Sequence, residues 1–249
     1  ASESPDVEGD SSLTYIQEKG ELVLGLDDSF PPMGFRGEEG DIVGFDIDLA
    51  REVTDRMGVE LRLQPIDWDA KVLDLNSKDI DLIWNGLTIT PEREEKITFS
   101  KPYIANRQIV IVQAGSGLTT KEALAGKVVG LQLGSSAQDA VESEPGVLDS
   151  FAELARYQDN VQALLDLEVG RIDAVVVDEI LGRYYISQKP NTFEVADEHF
   201  AEEEYGIGFR KGEAAFRDRV DALLDEMVED GTAAEISAKW FGEDVLLSR

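Results

Sequence analysis

The stretch NRQIVIVQ at 106–113 constrains this chain most, because it is one continuous β-type run with no helical pattern after it. Before it, apolar runs and helical patterns alternate. ELVLGL (21–26) reads as a strand, and the loop DDSFPPMGFRGEEGD follows. DIDLAREVTDRMG (46–58) places Leu49, Val53 and Met57 four apart and ends on Gly58, the pattern of a helix closed by a C-terminal glycine. VELRLQPI (59–66) alternates like a strand, AKVLDLNSKDI reads as a helix, and DLIWNGLTI as a buried strand. This rhythm implies a parallel sheet covered by helices.

A second set follows the uninterrupted strand. KVVGLQL (127–133) reads as a strand and SSAQDAVES opens a helix. VQALLDLEVG (161–170) is another helix, RIDAVVVD (171–178) an apolar strand ending on an acid, and EILGRYYIS a further helix. EEYGIGFR (203–210) then matches the earlier lone strand. Two such strands flanking the middle segment make it an insertion. The expected architecture is α/β, with two Rossmann-like lobes joined by two crossing strands. Lobe 1 would comprise residues 13–106 and 205–249, lobe 2 residues 107–204, and 1–12 an acidic, Ser/Gly-rich disordered leader. In the tail, Phe216, Val220, Leu223, Leu224, Met227 and Val228 predict one apolar helical face, and the last helix supplies Ile236, Trp240 and Phe241.

Ligands of open α/β sheets bind beyond the carboxyl ends of the strands, so the residues just after the strands carry the functional question. Arg93 is one of them. Thr90 and Pro91 predict a helix N-cap and first residue, which puts Arg93 in the first turn, where the dipole disfavours a cation. At helical spacing it meets Thr90, Ile89, Lys96 and Ile97, none of them acidic. Either it reaches an acid elsewhere in the fold, or its planar guanidinium clamps a ligand carboxylate. Thr88, Asn85 and Gly86 on the same strand end would add a hydroxyl, an amide and a close backbone approach.

Asp178 ends VVVD just before a helix, so it is expected as an N-cap, as the acceptor for a ligand ammonium, or as both. Asp27 and Phe30 lie in the loop after the first strand, and Trp68 lies between Asp67 and Asp69. Aromatics usually pack in cores, but such polar surroundings suit cleft walls. Trp84, inside an apolar strand, is expected in the core. Gln132, Gly134, Ser135 and Ser136 sit at a strand–loop–helix junction, which suits anion binding as well as ordinary capping.

Composition removes whole classes. With 52 acids against 23 bases the net charge is −29, which repels nucleic acid and anionic membrane surfaces. The charge fits a cationic ligand, a salty habitat or simple solubility. No cysteine is present, so there is no disulfide and no thiolate chemistry. The single histidine, His199 in ADEHFAEEE, has no nucleophile motif near it and excludes a multi-histidine metal site. Neither a calcium loop nor a phosphate-binding glycine fingerprint is present. No apolar run is long enough to span a bilayer. The chain begins at Ala1 without methionine, the expectation for a mature or trimmed form.

Eight segments in order, GLDDSFPPMGF, VGFDIDLA, IDLIWNGLTITPER, FSKPY, GKVVGLQLGSSA, GRIDAVVVDE, YGIGFRKG and DGTAAEISAKWFG, resemble the polar amino-acid substrate-binding proteins of ABC importers. These are the extracellular solute-binding proteins of family 3, with the type 2 periplasmic binding fold. The resemblance covers residues 20 to 243. It implies that Arg93 clamps the ligand carboxylate, that Thr88, Asn85 and Gly86 contribute beside it, and that Asp178 takes the ammonium. It makes Phe30 and Trp68 the aromatic walls, Asp27 the acid of the first loop, and Gly134, Ser135 and Ser136 the anion-binding stretch. Gln132 falls at a variable specificity position. Some relatives have two serines where this chain has Asn85 and Gly86. Asp27 beside two aromatics favours arginine or lysine by charge and cation–π attraction, although relatives that bind glutamine carry the same acid. The resemblance further implies a monomer without cofactor or metal, a membrane permease as partner, and an extracytoplasmic place, in the periplasm or tethered by a lipid. It also leaves cystine as a ligand, dehydratases acting on a cyclic prephenate-like acid, and receptor sensor modules as other uses of the fold.

Overall fold

The computed structural model describes residues 9–249. The chain enters through helix α1 (Ser12–Lys19), closed by Gly20 in the left-handed region, and passes into strand β1 (Glu21–Leu26). The leader expected over 1–12 overlaps this ordered entry. The Asp10 carboxylate accepts from Ser12 N at 3.0 Å and from Ala215 N at 2.7 Å; residues 1–8 lie outside the described part. The loop after β1 is itself structured, as a small antiparallel sheet of β2 (Ser29–Phe30), β3 (Gly34–Arg36) and β4 (Ile42–Val43). Strands of two or three residues are too short to leave an alternating pattern in a sequence.

Helix α2 (Phe45–Met57) buries Leu49 and Val53 and stops at Gly58, whose φ of 72° is the left-handed C-terminal conformation expected there. After it come β5 (Glu60–Pro65), α3 (Lys71–Asn76) and β6 (Leu82–Thr88), the last buried along its whole length. Helix α4 (Pro91–Lys96) starts as the sequence predicts, with Thr90 Oγ1 accepting from Arg93 N at 3.2 Å and Pro91 in the first turn. The short β7 (Thr98–Phe99) leads into the ten-residue β8 (Ile104–Gln113).

The second unit comprises β9 (Val128–Gln132), α5 (Ser136–Glu142), α6 (Pro145–Leu148), β10 (Glu153–Tyr157), α7 (Asn160–Glu168), β11 (Ala174–Asp178) and α8 (Glu179–Gln188). Strand β12 (Phe193–Phe209) returns the chain to the first unit, and α9 (Ala214–Glu229) and α10 (Thr232–Phe241) complete it.

Among the described residues, the larger sheet runs in the order β10-β9-β11-β8-β12-β6-β1-β5, with β7 beside β12. The strands at each end are parallel: β1 with β5 and β6, and β9 with β10 and β11. In the middle β8 and β12 lie side by side, antiparallel to each other and to their outer neighbours. They are the two crossing strands. Strand β12 starts ten residues earlier than EEYGIGFR suggests, because the polar stretch around His199 pairs with β8 through two register shifts.

Trp84 lies in the core, as expected. Helix α9 buries Phe216, Val220, Leu223, Leu224 and Met227, but Val228 is 38% exposed. The apolar stripe is one residue shorter than the pattern implies.

Candidate functional site

The carboxyl ends of β1, β6, β9 and β11 converge on one cleft of about 270 Å³. Eleven of the twelve residues singled out above line it: Asp27, Phe30 and Trp68, then Asn85, Gly86, Thr88 and Arg93, and across the cleft Gln132, Ser135, Ser136 and Asp178. The twelfth, Gly134, takes part through its backbone carbonyl.

Arg93 is buried at 7% exposure, and none of its contacts is an ion pair among the described residues. Nη1 donates to Thr88 O at 2.8 Å on its own strand end, and Nη2 to Gly134 O at 3.3 Å in the second unit. Burial lowers its pKa from the ordinary arginine value, while Asp139, Glu203 and Asp178 pull the other way. The guanidinium stays charged, with five N–H donors of which carbonyls take two.

Asp178 stands at the N-cap position of α8, yet its carboxylate makes no capping bond. Asn106 of β8 takes that part, its Oδ1 accepting from Ile180 N at 3.4 Å. The Asp178 oxygens accept instead from Asn106 Nδ2 (3.1 Å), Gln108 Nε2 (2.9 Å) and Tyr205 OH (2.5 Å). Burial, and then the negative charge of Glu203, raise its pKa well above the ordinary carboxylate value. A cation brought beside it would hold it ionised.

Gly86 has φ +57°, and a Cβ there would meet Phe30 Cε1 at 2.9 Å and Tyr205 Cε2 at 3.0 Å. Only glycine lets β6 turn this close to the aromatic ring. The turn is held from below by Asp46, whose Oδ2 accepts from Gly86 N at 2.8 Å and Oδ1 from Tyr103 OH at 2.8 Å. Burial pushes the Asp46 carboxyl up to about 7. Asn85 Oδ1 ties the neighbouring strand end by accepting from Asp27 N at 3.2 Å.

At the other end of the cleft Asp27 is buried, which raises its pKa, with Ser29 and Gln132 bonds opposing. Oδ1 accepts from Ser29 N and Oγ, and Oδ2 from Gln132 Nε2 at 2.8 Å. Asn160 Nδ2 donates to Gln132 Oε1 at 3.1 Å. Phe30 and Trp68 wall this end, but both also pack into apolar clusters, so core and cleft-wall roles coincide. Ser135 caps α5 by accepting from Gln138 N, which leaves the Ser136 hydroxyl to point to Thr88 Oγ1 at 3.1 Å.

Several residues outside the expected set belong to this neighbourhood. Lys71 is buried, with Nζ 4.8 Å from the Trp68 ring centroid, and donates at 2.9 Å to both Trp68 O and Gly134 O. Burial, and then repulsion from Arg93, hold its ammonium well below the ordinary lysine pKa. Asn106, Gln108, Glu203 and Tyr205 come from the crossing strands. Asn106 and Gln108 are polar residues two apart in NRQIVIVQ, a period that puts both on one face, and this was the available signal. His199 does not line the cleft.

Residues 22–243 match the model of the bacterial extracellular solute-binding proteins, family 3. The chain belongs to this family. Over 235 residues it is 35% identical to the L-cystine-binding protein TcyJ of Escherichia coli, covering 94% of this chain and 87% of that protein. It is 31% identical to the arginine-binding extracellular protein ArtP of Bacillus subtilis, covering 94% and 91%. Among solved structures it is similar to an ABC uptake transporter substrate-binding protein from Streptococcus pneumoniae with bound histidine. The TM-score is 0.93 at 37% identity, covering 97% of this chain and 100% of that one. The ancestral amino-acid-binding protein AncCDT-1, a precursor of cyclohexadienyl dehydratase, is also similar, with TM-score 0.86, 31% identity and coverage of 93% and 100%. The fold is that of a type 2 periplasmic binding protein. Among the described residues no helix is long and apolar enough to cross a membrane.

Proposed function

We propose that this protein binds a polar L-amino acid by closing two lobes around it, outside the cytoplasm, and delivers it to the permease of an ABC importer. The observation that carries this is the pairing of Arg93, on α4, with Asp178, at the end of β11, buried on opposite walls of one small cleft. Opposite charges lining one cleft complement a zwitterion: the guanidinium takes the carboxylate in bidentate fashion, and Asp178 takes the ammonium. Residues 13–106 and 205–249 form one lobe and 107–204 the other, so each charge belongs to a different lobe. A ligand bridging them stabilises the closed form by contacts the open form lacks. The protein works as a monomer, without metal or cofactor. A lipid tether before residue 1 would keep it at the membrane.

The side chain of the amino acid lies between Phe30 and Trp68 and ends at Asp27. A buried acid beside two aromatic rings favours arginine or another basic amino acid. The Gln132 amide, bonded to Asp27, supports a second possibility, since it partly satisfies the acid and offers a neutral polar surface to glutamine or cystine. Relatives named for cystine, arginine and histidine binding are compatible with both.

A thermal-shift screen of the twenty amino acids with cystine and ornithine identifies the ligand by mass-action stabilisation. Calorimetric titration of the best one into Arg93→Ala then tests the clamp, and unchanged affinity would sink it. Recovery of the ligand unaltered separates this function from that of a dehydratase on the same fold.

A further inference from the structure

Glu203 sits on β12 between the lobes, and its Oε1 is crowded with donors. Thr88 Oγ1 donates to it at 2.9 Å from the first lobe, and Ser136 Oγ lies 3.1 Å away in the second. Asn106 Nδ2 (2.9 Å) and Gln108 Nε2 reach it from β8. These are the two amides that also donate to Asp178. The two carboxylates therefore flank one pair of neutral amides, and neither makes an ion pair with a protein cation among the described residues. Gln108 is fully buried, and its Oε1 has no hydrogen-bond donor. The cluster thus holds two acids bonded only to neutral donors, and an unmet amide acceptor between them. A primary ammonium brings three N–H donors and one positive charge.

We infer that Glu203 is a second acid of the ammonium subsite, forming with Asp178 a two-carboxylate seat for the α-ammonium of the amino acid. This rests on the proposed function and adds an acid from the crossing strands to it; Glu203 stands behind Thr88 and Ser136, which line the cleft, rather than among the lining residues. The placement also couples binding to closure. Thr88 and Ser136, one from each lobe, reach the same carboxylate oxygen only when the lobes are together.

The test compares wild type, Glu203→Gln and Glu203→Asp by calorimetry with amino acids and their des-amino partners. The pairs are L-arginine with 5-guanidinopentanoic acid, L-histidine with imidazolepropionic acid, L-glutamine with glutaramic acid, and L-cystine with 3,3′-dithiodipropionic acid. For the amino acid that wild type binds, Glu203→Gln should weaken affinity about 10- to 100-fold, the scale of one hydrogen bond to a charged group. The des-amino partner should bind both proteins alike, and Glu203→Asp, which keeps the charge, should retain more affinity than Glu203→Gln. Thermal melts of each variant show that it is folded. Unchanged or tighter amino-acid binding in Glu203→Gln, with Arg93→Ala and Asp178→Asn still impaired, overturns the inference and leaves the proposed function standing. An equal loss for both members of a pair also overturns it, because the role would then be structural. If wild type binds none of the twenty amino acids, cystine or ornithine, the proposed function itself falls.

Discussion

The two ends of the cleft are built on different principles. At one end Arg93 and Asp178 place formal charges around a small volume, fixed by Thr88, Asn106, Gln108 and Tyr205, with Glu203 behind them on the same amides. At the other, one acid is answered by neutral groups, with Gln132 and Asn160 on one side and the rings of Phe30 and Trp68 as walls. Under the proposed function the first end would address what every amino acid shares. The second would address what distinguishes them, and amides and rings can be exchanged around Asp27 without removing a buried charge.

The sharpest way to break this contrast is Arg93→Ala. It should weaken every amino acid the protein binds by about a thousandfold, since a buried charge-assisted pair is lost, and Arg93→Lys should recover only part. A loss confined to one amino acid would place Arg93 at the side-chain end instead.

Asp178→Asn should follow, at about a hundredfold for all ligands. Asp178 also sets a pH dependence. Its carboxyl is held above the ordinary value by burial, and the ammonium requires the ionised form, so wild-type affinity should fall as pH drops from about 8 to about 6. Asp178→Asn should flatten that profile in calorimetric titrations, and a slope that persists would point to another group.

Asp27→Asn should be selective. L-Arginine should lose about tenfold while L-glutamine changes little, because only the cation uses the charge. Uniform losses would erase the distinction between the ends.

The smallest effect on affinity is expected from Asp46→Asn, which acts beneath the Gly86 turn and shows instead in stability. The folded carboxyl titrates near 7 and an unfolded one near about 3.9, so between these values the folded state binds the extra proton. Wild-type stability to denaturant should therefore lose ground as pH rises from about 4 to about 7, through this group, and the variant should lack that fall. An unchanged pH profile in the variant would show that Asp46 is ionised throughout.

How much of this was legible depends on the range over which each feature is encoded. Thr90, Pro91 and Arg93 are read locally: cap, first turn and misplaced cation lie within four residues, and the helix starts where they say. The crossing strands were legible as apolar runs without a following helix, although the polar first half of β12 was not, because its pairing with β8 tolerates register shifts. Asp178 could not be resolved between cap and ligand contact. What removes the cap is Asn106, 72 residues away, whose side chain takes the capping position and leaves the Asp178 carboxylate lining the cleft. Lys71 left no signal, as Gly134, 63 residues away, meets it only after folding.

The adjacency of β8 and β12 has a mechanical consequence. Two antiparallel strands bonded along their length form a ribbon that is stiff against sliding but compliant in bend and twist. For the two lobes proposed above, such a ribbon would favour rotation about itself over sliding. Such a joint leaves groups on the ribbon nearly stationary while those at the cleft mouth sweep widest. Glu203 and Gln108 lie on that quiet axis, and Asp27 and Gln132 lie off it. An arriving amino acid would therefore meet Glu203 and Gln108 already in place, while Arg93, Asp178 and the walls around its side chain would come together only as the lobes close.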